Sequence, residues 1–366
     1  MKIENFKIAI FFDWLNQWGG AERLLGDILT IFPNANLYTS IWDKSKTPWL
    51  PSSTKVFVSK LNNFSFFRQN SPLSLALQPL FLEQFNFKDY QLVISLTSQN
   101  GHCLLTPPDT TFVCYHLNPN RYLYQISHSL LKHIYSFYKK IDWIFAQRPD
   151  YYFTTSPTVQ NRIKQTYGRE AEIIHPGVDT DFFCPPKNPK PGNYFLVVSR
   201  LVVHKKIELA IRTCHQLKQT LVIAGTGRDE TRLKEIIPSS PFIKFVGQVS
   251  DKKLLTLYQN CLALICPQEE DFGLTPLEAM ACDKPVIAYN QGGIPDTIIN
   301  HKTGILFAKQ TTESLAEAIN LFFKTKFEVL DCRRQSLKFS RRRFMLNFTH
   351  SLNTILHDQP KIQISG

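Results

Sequence analysis

Short apolar runs rich in β-branched residues alternate with helical segments on both sides of a proline-rich break, and this rhythm limits the possible folds most. The first series reads "KIAIFF" (7–12), "NLYTSI", "KVFVS", "QLVIS" (91–95), "TFVCYH" (111–116) and "YYFTTS" (151–156). After the first run, "AERLLGDILTIF" sets Leu24, Leu25, Ile28, Leu29 and Phe32 at helical spacing. "CPPKNPKPGNY" (184–194) then interrupts the pattern as linkers do. A second series follows: "YFLVVS", "TLVIAG", "IKFVG", "LALIC", "PVIAY" and "GILF". Strands joined through helices pair in parallel, so the class is α/β with two doubly wound, Rossmann-like domains. Ligand crevices lie at the carboxyl ends of such strands, and the two would face each other across a cleft. We expect a first domain over residues 1–184, a linker over 185–193, a second domain over 194–340 and a helical tail over 341–366 packing back on the first domain.

Composition narrows the partners. A chain of 366 residues exceeds what one core usually serves. Its formal charge of +12 points to anionic partners such as phosphorylated small molecules, acidic lipid or nucleic acid. The positive charges are dispersed and no recognised nucleic-acid module is present, so nucleic acid is not expected. Eight cysteines without CxxC spacing fit buried, reduced thiols in a cytosolic protein rather than a disulfide framework or zinc site. The start, "MKIENFKIAIFFDWL", is too briefly apolar for a signal peptide, and no run reaches the roughly 18 to 20 apolar residues of a spanning helix. The expected location is cytoplasmic, with peripheral contact at the inner face of the membrane. In "SLLKHIYSFYKKIDWIFAQR" (129–148), Leu130, Ile134, Phe137, Ile141 and Ile144 form a stripe that we assign to the core. Lys132, His133, Lys139 and Lys140 then form a basic face for anionic headgroups, or simply a solvated one. "NNFSFFRQNSPLSLALQPLF" (62–81) would add an apolar loop.

Several motifs carry chemistry. "EEDFGLTPLEAM" (269–280) sets Glu269, Glu270 and Asp271 before a helix start. Thr275 as N-cap and Glu278 three residues on predict a capping box, with Pro276 at the first helical position. Glu270 has no comparable local task. Gly19 and Gly20, after the first strand, allow backbone amides to approach an anion, or merely form a tight turn. "VSRLVVHKK" (198–206) puts Arg200 at a strand end with Lys205 and Lys206 behind it, a diphosphate clamp or solvated charge. Gly225-x-Gly227 lacks the third glycine of a dinucleotide fingerprint, Glu230 standing there instead. His116 ends the strand "TFVCYH", where α/β domains place ligands.

The block "EEDFGLTPLEAMACDKPVIAYNQGGIPDTI", with "DWLNQWGGAER", "TTSPTVQNRI", "IIHPGVDTDFF", "SRLVVHKKIELAI" and "FVGQVSDKKLLTLYQNC" in order, resembles retaining glycosyltransferases of the GT-B fold. The likeness is to the large glycosyltransferase family 4-like group that includes bacterial polysaccharide and O-antigen-type mannosyltransferases. It implies that Glu270 contacts hydroxyls of the donor sugar and Glu278 those of the ribose. Arg200 and Lys205 would hold the diphosphate, Lys205 being preferred over Lys206, with Gly20 beside Gly19 approaching from the first domain. Val249 and Ser250 would line the base pocket, and Phe272, Gly273 and Leu274 would present amides to sugar and phosphates. His116 would sit by the reacting carbon, although "CYHLNPNRY" shifts this histidine by one position from the family's His-Thr-Pro pattern.

The implied reaction moves a hexose from a nucleotide diphosphate sugar to a glycan or lipid-linked acceptor hydroxyl with retention of configuration. GDP-mannose is the favoured donor and a UDP-sugar stays open; no metal is expected, positive side chains taking its place. Rival readings are a nucleotide-sugar epimerase on the same fold and a non-catalytic basic anion-binding protein.

Overall fold

The computed structural model describes residues 3, 6–64, 77–124, 132–188, 192–328 and 330–358. These form two compact units. One comprises the chain through His175 together with the stretch from Phe344 onward, and the other is Pro176–Arg343.

In the first unit β1 (Ile8–Leu15), β2 (Asn36–Trp42), β3 (Val56–Val58), β4 (Leu92–Thr97), β5 (Thr111–His116), β6 (Tyr151–Thr154) and β7 (Glu172–Ile173) form one sheet. Its spatial order is β3-β2-β1-β4-β5-β6-β7, with every pair parallel. In the second unit β8 (Phe195–Val198), β9 (Leu221–Ala224), β10 (Ile243–Gly247), β11 (Leu264–Cys266), β12 (Val286–Tyr289) and β13 (Gly304–Phe307) form a parallel sheet ordered β10-β9-β8-β11-β12-β13. Both are doubly wound α/β sheets, as the alternation implied. In each, the winding reverses beside the first strand, between β1 and β4 and between β8 and β11. There the connections leave in opposite directions and open a crevice at the carboxyl ends.

The strands read as continuous apolar runs because both faces are covered. Along β1, Ile8, Ile10 and Phe12 point into a core shared with Leu24, Leu25 and Ile28 of the Gly20–Ile31 helix. Ala9 and Phe11 point the other way, against Leu82, Phe87 and Phe112. The second unit repeats this two-faced packing. Leu196 and Val222 lie in one core, Phe195, Val197, Leu221 and Ile223 in the other. All eight cysteines are free and seven of them are buried.

Three expectations need correction. The domain boundary falls near residue 175 rather than 184, because backbone bonds strap the intervening segment to the second unit. The Val178 N–H donates to Phe339 O at 2.9 Å, and the Arg341 N–H donates to Val178 O at 2.8 Å. The Arg333 guanidinium reaches the carbonyls of Thr180 and Phe183. Secondly, the stripe of the Lys132–Phe145 helix is not core: Phe137 is 61% and Ile144 58% exposed, with Ile141 half-buried. Asp142 faces inward instead, its carboxylate 2.9 Å from His102 Nε2 and accepting the Tyr124 hydroxyl at 2.9 Å. Burying that pair turns the apolar residues outward. Leu130, the side chains of Lys132, His133 and Ile134, and most of the 62–81 loop lie outside the described residues. Thirdly, β7 is a two-residue edge strand that apolar pattern did not announce.

From Phe344 the Arg341–Asp358 helix lies on the first sheet, with Phe344, Phe348, Leu352 and Ile355 buried among β1 and β5 residues. Phe348 is fully enclosed and meets the rings of Tyr115, Phe153 and Phe344. Phe348→Ala should therefore cost about 3–5 kcal/mol of stability, read by urea unfolding of the whole chain. A cost below about 1 kcal/mol would mean that the tail does not hold this position in solution.

Candidate active site

The reversal point of the second sheet gathers most of the expected residues. The chain leaves β8 through Ser199 and Arg200 and passes a short 3-10 turn, Val203–Lys205, before the Ile207–Gln216 helix. It leaves β11 through Pro267 and Gln268 to Glu270, then enters the Leu274–Ala281 helix. Because β8 and β11 are neighbours, these two loops meet across 65 residues of sequence. Lys205 Nζ donates to Glu270 Oε1 at 2.6 Å, and Gln268 Nε2 donates to the same oxygen at 2.7 Å. Both side chains are mostly enclosed, at 14% and 22% exposure. Glu270 thus has a structural partner that local sequence did not supply. Lys206 is exposed, adopts φ 53° and precedes the Ile207–Gln216 helix. Arg200 is exposed on the same loop as Lys205.

Glycines hold both loops by backbone contact. A Cβ on Gly225 would lie 1.9 Å from Ser199 O, and one on Gly227 would lie 2.2 Å from Leu201 O. The G-x-G motif therefore seats the Arg200 loop, with the Leu201 N–H donating to Thr226 O. On the other side a Cβ on Gly292 would lie 2.2 Å from Glu270 O, and one on Gly293 2.3 Å from Asp271 O. Gly293 N–H donates to Glu270 O at 2.7 Å. This second pair was passed over in the sequence, where a repeated glycine after a strand was its signal.

The capping box is not formed. Gly273, in the left-handed region at φ 93°, starts the helix at Leu274, so Thr275 lies within it. Glu278 is buried at 4% exposure and accepts the Tyr258 hydroxyl at 2.8 Å. The helix still ends amide-first at the crevice, an arrangement that favours anions. Phe272 is buried against Phe339, leaving its main chain as the part that can serve a ligand. Val249 packs on the adjoining core and Ser250 caps the Asp251–Asn260 helix, accepting from the Lys253 N–H at 3.4 Å.

In the first unit, Gly19 caps the Gly20–Ile31 helix in an extended conformation and Gly20 is exposed at its first position. Asp13, at the end of β1, accepts the Thr97 hydroxyl and the Ser98 N–H, both at 2.7 Å. Burial pushes its carboxyl up to about 6. His116 does not face an open crevice. Its ring is fully buried and stacks on His102 at 5.4 Å and on Tyr152 at 6.1 Å. Neither ring nitrogen has a hydrogen-bond partner among the described residues. Its expected place beside the reacting carbon is therefore not what this unit offers: strand alternation turns the side chain into the layer beneath the crevice.

Two predictions follow from these contacts. Gly292→Ala combines a positive φ with a clash against Glu270 and should cost about 2 kcal/mol or more. Gly26→Ala, whose Cβ meets nothing within 4 Å in a helix interior, should instead gain about 0.5–1 kcal/mol. Urea midpoints of the two variants would then move in opposite directions. The second prediction concerns pH. Burial first, and then the neighbouring His102, push the His116 imidazole from 6.5 down to about 3. Above pH 6.5 folded and unfolded rings are both neutral. Below it only the unfolded chain gains the proton, so this group's contribution falls as pH drops from 6.5 towards 3. His116→Phe should gain about 2 kcal/mol on the parent between pH 7.5 and pH 5. Asp13 acts in the opposite sense below pH 6, but equally in both proteins, so the difference between their unfolding curves isolates His116.

Residues 178–338 match the family model described as glycosyl transferases group 1. The chain is 29% identical over 194 residues to a glycogen synthase of Mycobacterium tuberculosis (strain CDC 1551 / Oshkosh), covering 48% of this chain and 46% of that one. It is 26% identical over 347 residues to the alpha-1,3/1,6-mannosyltransferase ALG2 of Mus musculus, covering 79% and 81%. The chain thus spans about half the length of the first curated relatives it matches, or less. Among solved structures, Anabaena Alr3699/HepE in complex with UDP superposes with a TM-score of 0.73 at 19% identity, over 95% of this chain and 100% of that one. The fold is GT-B in class, two parallel sheets flanked by helices, and the stretch similar to the glycosyl transferases group 1 model, residues 178–338, is nearly all of the second unit.

Proposed function

We propose that the protein transfers a hexose from a nucleoside diphosphate sugar to a hydroxyl of a glycan or lipid-linked acceptor, with retention of configuration. The observation that carries this reading is the meeting of Lys205 and Glu270 at the reversal point of β8 and β11, beside Arg200 and the amino end of the Leu274–Ala281 helix. A cationic loop, a carboxylate and free helix amides at one crevice suit a diphosphate with a sugar attached.

In this mechanism, breaking the bond between the sugar and the β-phosphate puts negative charge on that phosphate. Arg200, Lys205 and the helix amides stabilise it. Glu270 has two duties, orienting Lys205 and accepting hydrogen bonds from sugar hydroxyls. The departing phosphate oxygen takes the proton of the incoming hydroxyl as that hydroxyl bonds to the same face of the sugar. Glu278 reaches the ribose, and Val249 and Ser250 flank the base. His116 has no contact role in this scheme. Mannose is favoured through the likeness to the alpha-1,3/1,6-mannosyltransferase ALG2, a guanosine donor through the family resemblance of the sequence, and the UDP complex of HepE supports a uridine donor as the alternative.

Thermal shift with guanosine, uridine and adenosine diphosphates tests the reading. At 100 times its dissociation constant the right nucleotide adds about 2.7 kcal/mol of stability. If none raises the melting temperature, the reading fails. Arg200→Ala should then lower transfer about a hundredfold, roughly 3 kcal/mol, and more than Lys205→Ala. Glu270→Ala should lose most transfer while keeping nucleotide affinity, and should melt below the parent because Lys205 loses its partner. Turnover of donor without any acceptor would favour an epimerase.

A further inference from the structure

The Lys132–Phe145 helix presents an outward face that the proposed chemistry does not use. Phe137, Tyr138, Trp143 and Ile144 are 61%, 37%, 49% and 58% exposed, a density of large apolar groups that a solvated helix does not keep. Between Phe137–Tyr138 and Trp143–Ile144 in sequence stand Lys140, exposed, and Lys139, half-buried with its ammonium 5.4 Å from the centre of the Tyr124 ring. The helix's only acid, Asp142, is buried against His102, so no described carboxylate of this helix faces outward. Beside the face, Tyr124, Lys139, Lys140, Trp143 and Ile144 line a shallow hollow of about 450 Å³.

We infer that this face is a docking surface for an anionic lipid bilayer, on which the helix lies in the plane of the headgroups. Three features select lipid over a protein partner. Lysines are depleted at the centre of protein interfaces, whereas here two lie among the aromatic residues. Tryptophan and tyrosine, apolar with one polar tip, suit the boundary between headgroups and acyl chains. The chain's charge of +12 favours an anionic surface over a neutral one. Phe137, Trp143 and Ile144 enter the acyl boundary while the lysine heads stay at phosphate level. No helix of the described residues is long and apolar enough to cross a membrane. The sequence assigned headgroup contact to the basic face with the apolar stripe inside; here the two act together on one side.

Co-sedimentation of the full chain with vesicles tests this without turnover, so its outcome is independent of the transferase reading. The parent should bind vesicles of phosphatidylcholine mixed with phosphatidylglycerol and bind pure phosphatidylcholine far less. Lys139→Gln with Lys140→Gln should weaken binding about twenty-fivefold, since each lysine at an anionic surface is worth about fivefold. Phe137→Ser with Ile144→Ser should weaken it about tenfold or more. Both double variants alter exposed side chains except at half-buried Lys139, and an unchanged melting temperature verifies their folding. No binding to the mixed vesicles, equal binding to both kinds, or undiminished binding by either variant overturns the proposal. So does a dimer in solution that the Phe137 and Ile144 changes dissociate without affecting vesicle binding, since the face would then belong to a second copy.

Discussion

The parallel pairing of β8 with β11, registered at Leu196 and Leu264, is the constraint from which the second unit's site follows. A parallel neighbour that is not the next strand in sequence requires the chain to wind first one way and then the other. The loops leaving these two strands therefore diverge, and the space between them is the crevice. Arg200 and Lys205 arrive from one side and Glu270 from the other, closed into a single arrangement by one 2.6 Å ion pair. A charge-assisted contact this enclosed is sensitive to small displacements, so its supporting loops must be stiff. Close packing of backbone on backbone supplies the stiffness. Gly225 and Gly227 let one loop settle on its neighbour, and Gly292 and Gly293 do the same for the other.

The first unit shares the winding but fills its reversal point differently. Asp13, Thr97, His102, His116 and Asp142 are sealed into the layer below the strand ends rather than displayed at the rim. Burial raises the Asp13 carboxyl; burial pushes Asp142 the same way, but the neighbouring His102 and hydrogen bonds outweigh it and hold that carboxyl low. One consequence reaches the surface. Asp142 can satisfy His102 only by pointing inward, and a helix that commits its acid to the core must turn other residues out. At 100° per residue, Phe137 and Ile144 lie on the side opposite Asp142. An internal hydrogen-bonded pair thereby sets the character of an external face.

Much of this was legible in the residues. Strands such as "TFVCYH", "IKFVG" and "GILF" coincide with β5, β10 and β13, because a strand buried on both faces has little freedom to be anything but apolar. The resemblance to glycosyltransferases named the Arg200 and Glu270 segments that the fold then brings together. Local rules were less reliable where a neighbour could override them. Thr275 and Glu278 had the spacing of a capping box, yet the left-handed Gly273 began the helix earlier and Tyr258 took the carboxylate. The stripe from Ile134 to Ile144 had helical periodicity, but periodicity identifies a face without saying what covers it.

The sequence by itself determined the two parallel sheets, the break between them, the helices around them and the loops on which cationic and acidic groups would stand. Those follow from local periodicity and turn chemistry, which each segment carries within itself. Only the tertiary structure decided that Lys205 rather than Lys206 meets Glu270, that His116 is sealed beneath the strand ends, and that residues 176–183 are strapped to the second unit. Each depends on partners tens of residues away, and such contacts form only once strand order has placed distant segments side by side.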